Sequence, residues 1–250
     1  MIQINNISKS FSDRKILNDI SFTFQTGKTN VIIGESGSGK TALIRCMVGL
    51  NEVDTGEVLF DDRNFHVMDF KGKKEIRKEI GMLFQGGALF DSKTVEENVV
   101  FPLSMFTDFS EEEKRERANF CLQRVNLINA NGLFPSELSG GMKKRVAIAR
   151  AIAVQPKYLF CDQPNSGLDP KTSIVIDNLI KEITEEYAIT TVVITHDMNS
   201  VIEIGDHILF IYKGEKWWEG NKQEILKTDN QEVQDFVYAT KFMKELKTKF

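Results

Sequence analysis

Residues 29–41 read T-N-V-I-I-G-E-S-G-S-G-K-T, a short β-branched run that stops at Gly34, then a glycine-rich turn that ends in Lys40 and Thr41. Helical spacing follows from about Lys40 to Gly49, so the turn joins a strand to a helix. Its eight residues, 34–41, fit G-x-x-x-x-G-K-[ST] in full, with the flanks that pattern needs. Such a loop turns its backbone N–H groups inward around a phosphate, the helix N-terminus adds its dipole, and Lys40 adds a mobile positive charge. Thr41 offers a hydroxyl to Mg2+. The expected phosphate contacts are Gly34, Ser36, Gly37, Ser38, Gly39, Lys40, Thr41 and Ala42. The competing reading is a glycine-rich turn that happens to carry Lys and Thr, and the strand and helix around it argue against that.

A loop of this kind needs a carboxylate at the end of a neighbouring strand to hold Mg2+ through its water shell. The apolar run Y-L-F-C-D, 158–162, places Asp162 there. Asp197 competes after V-V-I-T, but His196 intervenes, which leaves Asp162 the better choice.

Around these anchors the chain reads as an α/β fold. I-Q-I-N-N-I and I-S-F-T-F-Q alternate as strands near the start, and E-V-L-F (57–60) is strand-like. Residues 94–155 read as mostly helical, with Ser110 before Glu111, Glu112 and Glu113 as an N-cap and acidic first turn, and a second helix from Gly140 to Val154 stopped by Pro156. From Lys157 onward strands and helices alternate, the mark of a parallel sheet. With no internal repeat or low-complexity linker, the helical block reads as an insertion into the α/β core. The tail places Val233, Phe236, Val237, Met243 and Leu246 at helical spacing, for packing on its own domain or for contact with a partner.

Composition narrows the class. The 250 residues are 41% hydrophobic and 27% charged, which suits one large globular domain or two unequal lobes. No run approaches the roughly 18 apolar residues of a membrane span, and the polar start lacks the core of a signal peptide, so the expected location is the cytoplasm. Cys46, Cys121 and Cys161 are far apart and odd in number, so they read as small buried apolar residues. A net charge of -4 argues against nucleic acid as a partner. The basic run Lys71, Lys73, Lys74, Arg77 and Lys78 is interleaved with Glu75 and Glu79 and reads as a solvated helix or loop face.

L-S-G-G-M-K-K-R-V-A-I-A-R-A (138–151) lies about 98 residues after Lys40 and about 20 before Asp162. With this stretch in place, the chain resembles the ATP-binding subunits of ABC transporters over roughly residues 2–230. Their L-S-G-G-Q signature opens a helix and binds the γ-phosphate of ATP held by the opposite subunit. Ser139 as a cap, with Gly140 and Gly141 allowing close backbone approach, suits that role. The resemblance implies a P-loop NTPase fold with a RecA-like α/β core, a small antiparallel β subdomain and an inserted helical subdomain at about 90–155. The nucleotide-binding domain would span 1–230 and a C-terminal helical tail 231–250.

The same resemblance assigns further residues one by one. Phe11 stands where the family stacks an aromatic on adenine, although a core aromatic is an open alternative. Gln85, in M-L-F-Q, matches the Q-loop glutamine that reaches Mg2+ and the attacking water. N-S-G-L-D, ending in Asp169, matches the D-loop at the dimer interface, and His196 the switch histidine that contacts the γ-phosphate. His66 and His207 lack such context and read as surface or strand-edge residues. Two subunits would sandwich two ATP molecules, each P-loop facing the other chain's Ser139 to Met142. A membrane permease would receive its push through an apolar groove after Gln85, for which Ala88, Leu89 and Phe90 are candidates, with core packing as the alternative.

Met142 replaces the usual signature Gln, and the Q-loop continues F-Q-G-G-A-L-F-D-S-K-T-V-E-E-N-V-V-F-P-L. Both features are similar to the ATPases of the Mla phospholipid transport systems. The implied partners are a permease and an MCE-domain lipid-binding protein, at the cytoplasmic face of the inner membrane. Another bacterial ABC ATPase, serving lipoprotein release or solute import, is the alternative. A soluble ABC protein would carry two cassettes or a long coiled coil, and neither is present here. Gln163 stands where the family has a Glu that polarises the attacking water. An amide keeps the shape but has no useful proton affinity near neutral pH. The expectation is binding of Mg-ATP with little hydrolysis, and the intact remaining motifs favour an introduced Glu-to-Gln change over a natural loss.

Overall fold

The computed structural model describes residues 1–239. The strands β1 (Ile2–Phe11), β2 (Arg14–Phe24), β4 (Thr55–Phe60) and β5 (Arg63–Asn64) form an antiparallel sheet in the order β2-β1-β4-β5. A second sheet uses β3 (Thr29–Ile33), β6 (Ile80–Leu83), β7 (Tyr158–Asp162), β8 (Thr190–Ile194), β9 (His207–Tyr212) and β10 (Glu215–Gly220), in the order β10-β9-β3-β8-β7-β6. Its four pairings from β9 to β6 are parallel, and β10 closes one edge antiparallel to β9. β3, β7 and β8 are buried at every residue, as continuous apolar strands covered on both faces must be.

Alternation within those strands divides the interior. Val31, Ile33, Leu159 and Cys161 face one core, shared with the inserted helices, while Ile32, Tyr158, Phe160 and Ile194 face another, shared with the antiparallel sheet. The inserted block holds α3 (Val95–Phe106), α4 (Glu111–Arg124) and α5 (Gly140–Ile152). Thr94 with Glu97 and Ser110 with Glu113 form capping boxes that start α3 and α4, and Ser139 caps α5. The expected fold class is therefore the observed one: an α/β core with an antiparallel β layer and a helical insertion.

Some elements are absent from the sequence reading. The basic run lies on α2 (Phe70–Lys78), capped by Asp69 and holding only Ile76 in the core, so the helix alternative holds there. β6 is four residues long and includes Gly81, where an added Cβ would meet the Ala151 carbonyl oxygen at 2.4 Å. No alternation betrays it, and its direction is set by pairing with β7. β10 is a half-exposed edge held by β9. All three cysteines are buried, and burial pushes the thiols of Cys46 and Cys121 up to about 11. The helix α8 (Gln231–Val237) buries Val233 and Val237, and Phe236 lies 5.4 Å from Phe210, so this part of the tail packs on its own core. Met243 and Leu246 lie outside the described residues.

The remaining helices, α1 (Lys40–Met47), α6 (Pro170–Glu186) and α7 (Met198–Ile204), flank the parallel sheet. α6 and α7 meet through a buried polar chain. Asn165 Nδ2 donates to Ser200 Oγ at 3.0 Å, and that hydroxyl donates to Asp177 Oδ2 at 2.8 Å. Asp177 is 3% exposed and its other oxygen has no partner. Burial lifts its pKa from 3.8 to about 6, with Asp197 and Glu203 adding like charge. A carboxyl raised in the folded state contributes stability that is present below its unfolded pKa and lost as pH rises through the folded value. Asp177→Asn keeps an acceptor for Ser200 and has no charge to bury. It is expected to match the parent near pH 4 and to exceed it by roughly 1–3 kcal/mol near pH 7.5 in urea denaturation. A gap that fails to widen across that interval contradicts the assignment.

Candidate functional site

The strand order β3-β8-β7-β6 brings distant motifs to one edge of the sheet. The loop 34–41 follows β3, His196 follows β8, Asp162 and Gln163 end β7, and Gln85 follows β6. This is the carboxyl edge of a parallel sheet, where ligands of open α/β folds bind.

The loop is built as a cradle. Gly34 has φ +144°, and a Cβ there would lie 2.2 Å from the Ile211 carbonyl oxygen, so only glycine lets the loop pack on β9. Gly37 has φ +81° and no atom within 4 Å of the place a Cβ would take, which leaves open room above the loop. α1 begins at Gly39 with no side-chain cap, whereas α2 to α8 are capped by Asp69, Thr94, Ser110, Ser139, Asp169, Asp197 and Asn230. The first N–H groups of α1 are thus left to an outside acceptor, which suits a phosphate. Lys40 is buried and donates to the carbonyls of Gly34 at 2.8 Å and Glu35 at 2.6 Å. Burial lowers its pKa, against the pull of Asp162 and Glu35.

Asp162 is 7% exposed, and its Oδ1 is buried with no partner. Burial raises its pKa, opposed by Arg45, Lys40 and Lys144 and by the Thr41 hydroxyl. An unpaired carboxylate oxygen beside a threonine hydroxyl and an open phosphate cradle is the oxygen set that Mg2+ takes, with the remaining positions filled by nucleotide and water. Mg2+ held there by Thr41 and Asp162 would supply positive charge against the charge that develops on the phosphate oxygens. Asp197, the competing carboxylate, is used as the cap of α7 and accepts from the Asn199 N–H at 2.9 Å.

Gln163 is half-buried in left-handed backbone, φ +49°, with its N–H donating to the Ile194 carbonyl at 3.0 Å. Its side-chain oxygen accepts from Gln85 Nε2 at 3.0 Å, so the two glutamines named from sequence touch. His196 is exposed at the same edge. Phe11 is 46% exposed at the end of the β1–β2 hairpin, with the Lys9 ammonium 5.5 Å from its ring centre, which removes the core alternative. His207 stacks on Phe22 at the start of β9, and His66 is half-buried beside Phe65.

The signature lies elsewhere on the surface. Ser139 Oγ accepts from the Met142 N–H at 3.3 Å, and a cavity of about 320 Å³ there is lined by Ser139, Gly140, Gly141, Met142, Arg145, Gly167, Leu168, Asp169 and Thr172. Asp169 caps α6 through the N–H groups of Lys171 and Thr172. No residue of the 34–41 loop lines this cavity, so the residues 139–142 and 167–169 lie together and apart from the cradle. A larger cavity, about 480 Å³, surrounds Lys157 and Tyr158 at the opposite end of β7 and contains none of the motif residues.

Sequence reasoning missed two cations of α5. Lys144 is 5% exposed and donates to the carbonyl oxygens of Gln85 and Gln163. Arg150 donates to the carbonyls of Gly87 at 2.7 Å and Ala88 at 2.8 Å. The only signal for either is a cation at a helix position that points inward. Beyond them, Ala88 and Phe90 are exposed, Leu89 is half-buried, and Phe90 lies 4.7 Å from Phe101.

Comparison with known proteins agrees with this geometry. The sequence pattern of the ABC transporter family matches residues 17–166. The chain is 38% identical over 225 residues to the methionine import ATP-binding protein MetN of Clostridioides difficile, covering 90% of this chain and 70% of that protein. It is 36% identical over 237 residues to the intermembrane phospholipid transport system ATP-binding protein MlaF of Haemophilus influenzae, covering 95% and 90%. Across the methionine-import relatives the chain spans between 62% and 78% of their length. These identities do not separate the two kinds of relative. Among solved structures, the dimeric bacterial ABC transporter cassette MJ0796 has a TM-score of 0.82 at 34% identity, covering 89% of this chain and 99% of that one. The cbiO1 protein of Clostridium perfringens, part of the cbiONQ transporter complex, has a TM-score of 0.84 at 28% identity, covering 100% and 98%. The chain belongs to the ABC transporter family, as one of its ATP-binding cassettes, a transport-coupled ATPase that takes ATP with Mg2+.

Proposed function

We propose that this cassette drives phospholipid transport between bacterial inner and outer membranes, in a form that closes on Mg-ATP and hydrolyses it slowly. Residues 1–230 act as the nucleotide-binding domain, the helical subdomain at about 90–155 carries the signature, and 231–250 form a tail. Two copies close head to tail, so that the cradle of one, Gly34 to Ala42, meets Ser139 to Met142 and Asp169 of the other across ATP. Two separate half-sites on one chain, one at the uncapped start of α1 and one at the start of α5, support that arrangement. Phe11 stacks on the adenine, Thr41, Asp162 and Gln85 hold Mg2+, and His196 meets the γ-phosphate. ATP bridging the two copies favours the closed state, and its loss lets them part.

The observation that carries slow turnover is Gln163 at the end of β7, beside Asp162 and bonded to Gln85. Its amide can hydrogen-bond a water or a phosphate oxygen, but it accepts no proton near neutral pH. Support for a phospholipid cargo comes from Met142 in the signature, the segment after Gln85, and the MlaF relative. Among the described residues no helix is long and apolar enough to cross a membrane. The chain reaches the inner membrane through a permease, seated on exposed Ala88 and Phe90 and half-buried Leu89, with an MCE-domain protein as a further partner. Methionine import is the second reading, favoured by relatives at 36–41% identity.

Gln163→Glu is expected to raise ATP turnover by about 10²–10⁴-fold when the permease is present, the usual worth of a positioned base. Equal, fast turnover in the parent chain and the variant would sink the slow-turnover reading. The cargo is checked by identifying the membrane proteins that co-purify with the chain in mild detergent. A permease with an MCE-domain protein, and bound phospholipid in the extract, is expected. A solute permease whose ATPase activity responds to methionine moves the assignment to import.

A further inference from the structure

The helix that begins with the signature also grips the segment after Gln85. Lys144, in the second turn of α5, is buried and donates to two main-chain carbonyls, those of Gln85 and Gln163. These carbonyls lie just past the ends of β6 and β7, and the side chains of the same residues already touch, Gln85 Nε2 to Gln163 Oε1 at 3.0 Å. Ammonium, two carbonyls and two amides thus form a closed ring of contacts. Two turns further along α5, Arg150 holds the carbonyls of Gly87 and Ala88, where the backbone is in left-handed conformation at φ +78° and +46°. The path from Gln85 to Ala88 is therefore fixed against α5 at both ends.

A buried ammonium is costly to desolvate, and burial does lower the pKa of Lys144. Its position is better explained by what it joins. We propose that Lys144 is a positioning residue for ATP hydrolysis, tying the main chains of Gln85 and Gln163 to the signature helix so that both side chains hold a fixed place at the γ-phosphate. This rests on the roles given to Gln85 and Gln163 above. Signature residues 139–142 and Lys144 belong to one rigid helix. A signature that docks on the partner's nucleotide is then linked through Lys144 to both glutamines, which holds the two in register.

The test uses the full chain and Lys144→Met, which keeps the length of the side chain and removes the donors. Single-turnover hydrolysis of γ-labelled ATP reads slow rates, so the comparison is made in both the parent chain and Gln163→Glu. Lys144→Met is expected to lower the rate constant at saturating ATP by about 10-fold or more, as a misplacement near 1 Å does. The half-saturating ATP concentration should move by less than about 3-fold, since the loss lies in positioning and not in binding. In a Gln85→Ala background, Lys144→Met should cost clearly less than it does in the parent chain, what remains being its hold on Gln163, because residues acting as a unit are not additive. If Lys144→Met does not fold, as judged by its melting curve, Lys144→Leu, which also lacks a donor, is read by the same criteria. An unchanged rate, losses that multiply with Gln85→Ala, or a loss confined to the half-saturating concentration each overturn the proposal. Failure of Gln163→Glu to accelerate hydrolysis overturns the reading of residue 163 alone, since the comparison of positions 144 and 85 stands in either background.

Discussion

Lys40 and Asp162 are buried together at the carboxyl edge of a parallel sheet, and the rest of the architecture serves to make that tolerable. Each charge alone would cost several kcal/mol to desolvate. The ammonium is held by the carbonyls of Gly34 and Glu35, while one oxygen of the carboxylate stays unpaired. That deficit is the functional point. A site whose own groups were all satisfied would gain little from a phosphate or a divalent cation, whereas a helix start without a side-chain cap at α1 and an unpaired oxygen at Asp162 leave room for both. The fully buried strands β3, β8 and β7 keep these groups in place, and the two cores on either face of the sheet keep the strands in place.

The cradle was legible in the sequence because it depends on local rules. Glycines that take positive φ, a lysine before a hydroxyl, and a strand-to-helix transition leave their mark within thirteen residues, 29–41. The helix starts at Ser110 and Ser139 were legible for the same reason, since a cap is chemistry between near neighbours. The early strands and the later alternation of strands and helices followed from periodicity, while the antiparallel layer was implied by the resemblance to ABC transporter subunits.

What sequence did not show is what only pairing decides. β6 is too short to alternate, and it exists as a strand because β7 supplies its hydrogen bonds. β10 lies at an edge with exposed tryptophan and glutamate side chains, and nothing in E-K-W-W-E-G distinguishes it from a loop until β9 is beside it. Lys144 is the same lesson within the site. A lysine on a basic helix reads as solvated, and its burial appears only when the segment after β6 is laid along α5. Asp177 likewise carries no local mark of burial, and it is buried because α7 covers it with Ser200.

The contact between Gln85 and Gln163 bears on what the amide at 163 does. The Gln85 amide donates to the Gln163 side-chain oxygen, and a carboxylate in that place would accept the same bond with greater strength. Geometry at the site is therefore indifferent to the choice between Glu and Gln, while electrostatics is not. A carboxylate would stand beside Asp162 as a second negative charge facing the phosphates, and would have to be offset by Lys40, Lys144 and the cation. The amide removes that repulsion and adds an N–H that can donate to a phosphate oxygen. On the reading proposed for this position, the change acts twice in the same direction, because it takes away the proton acceptor that hydrolysis uses and strengthens the hold on unhydrolysed ATP.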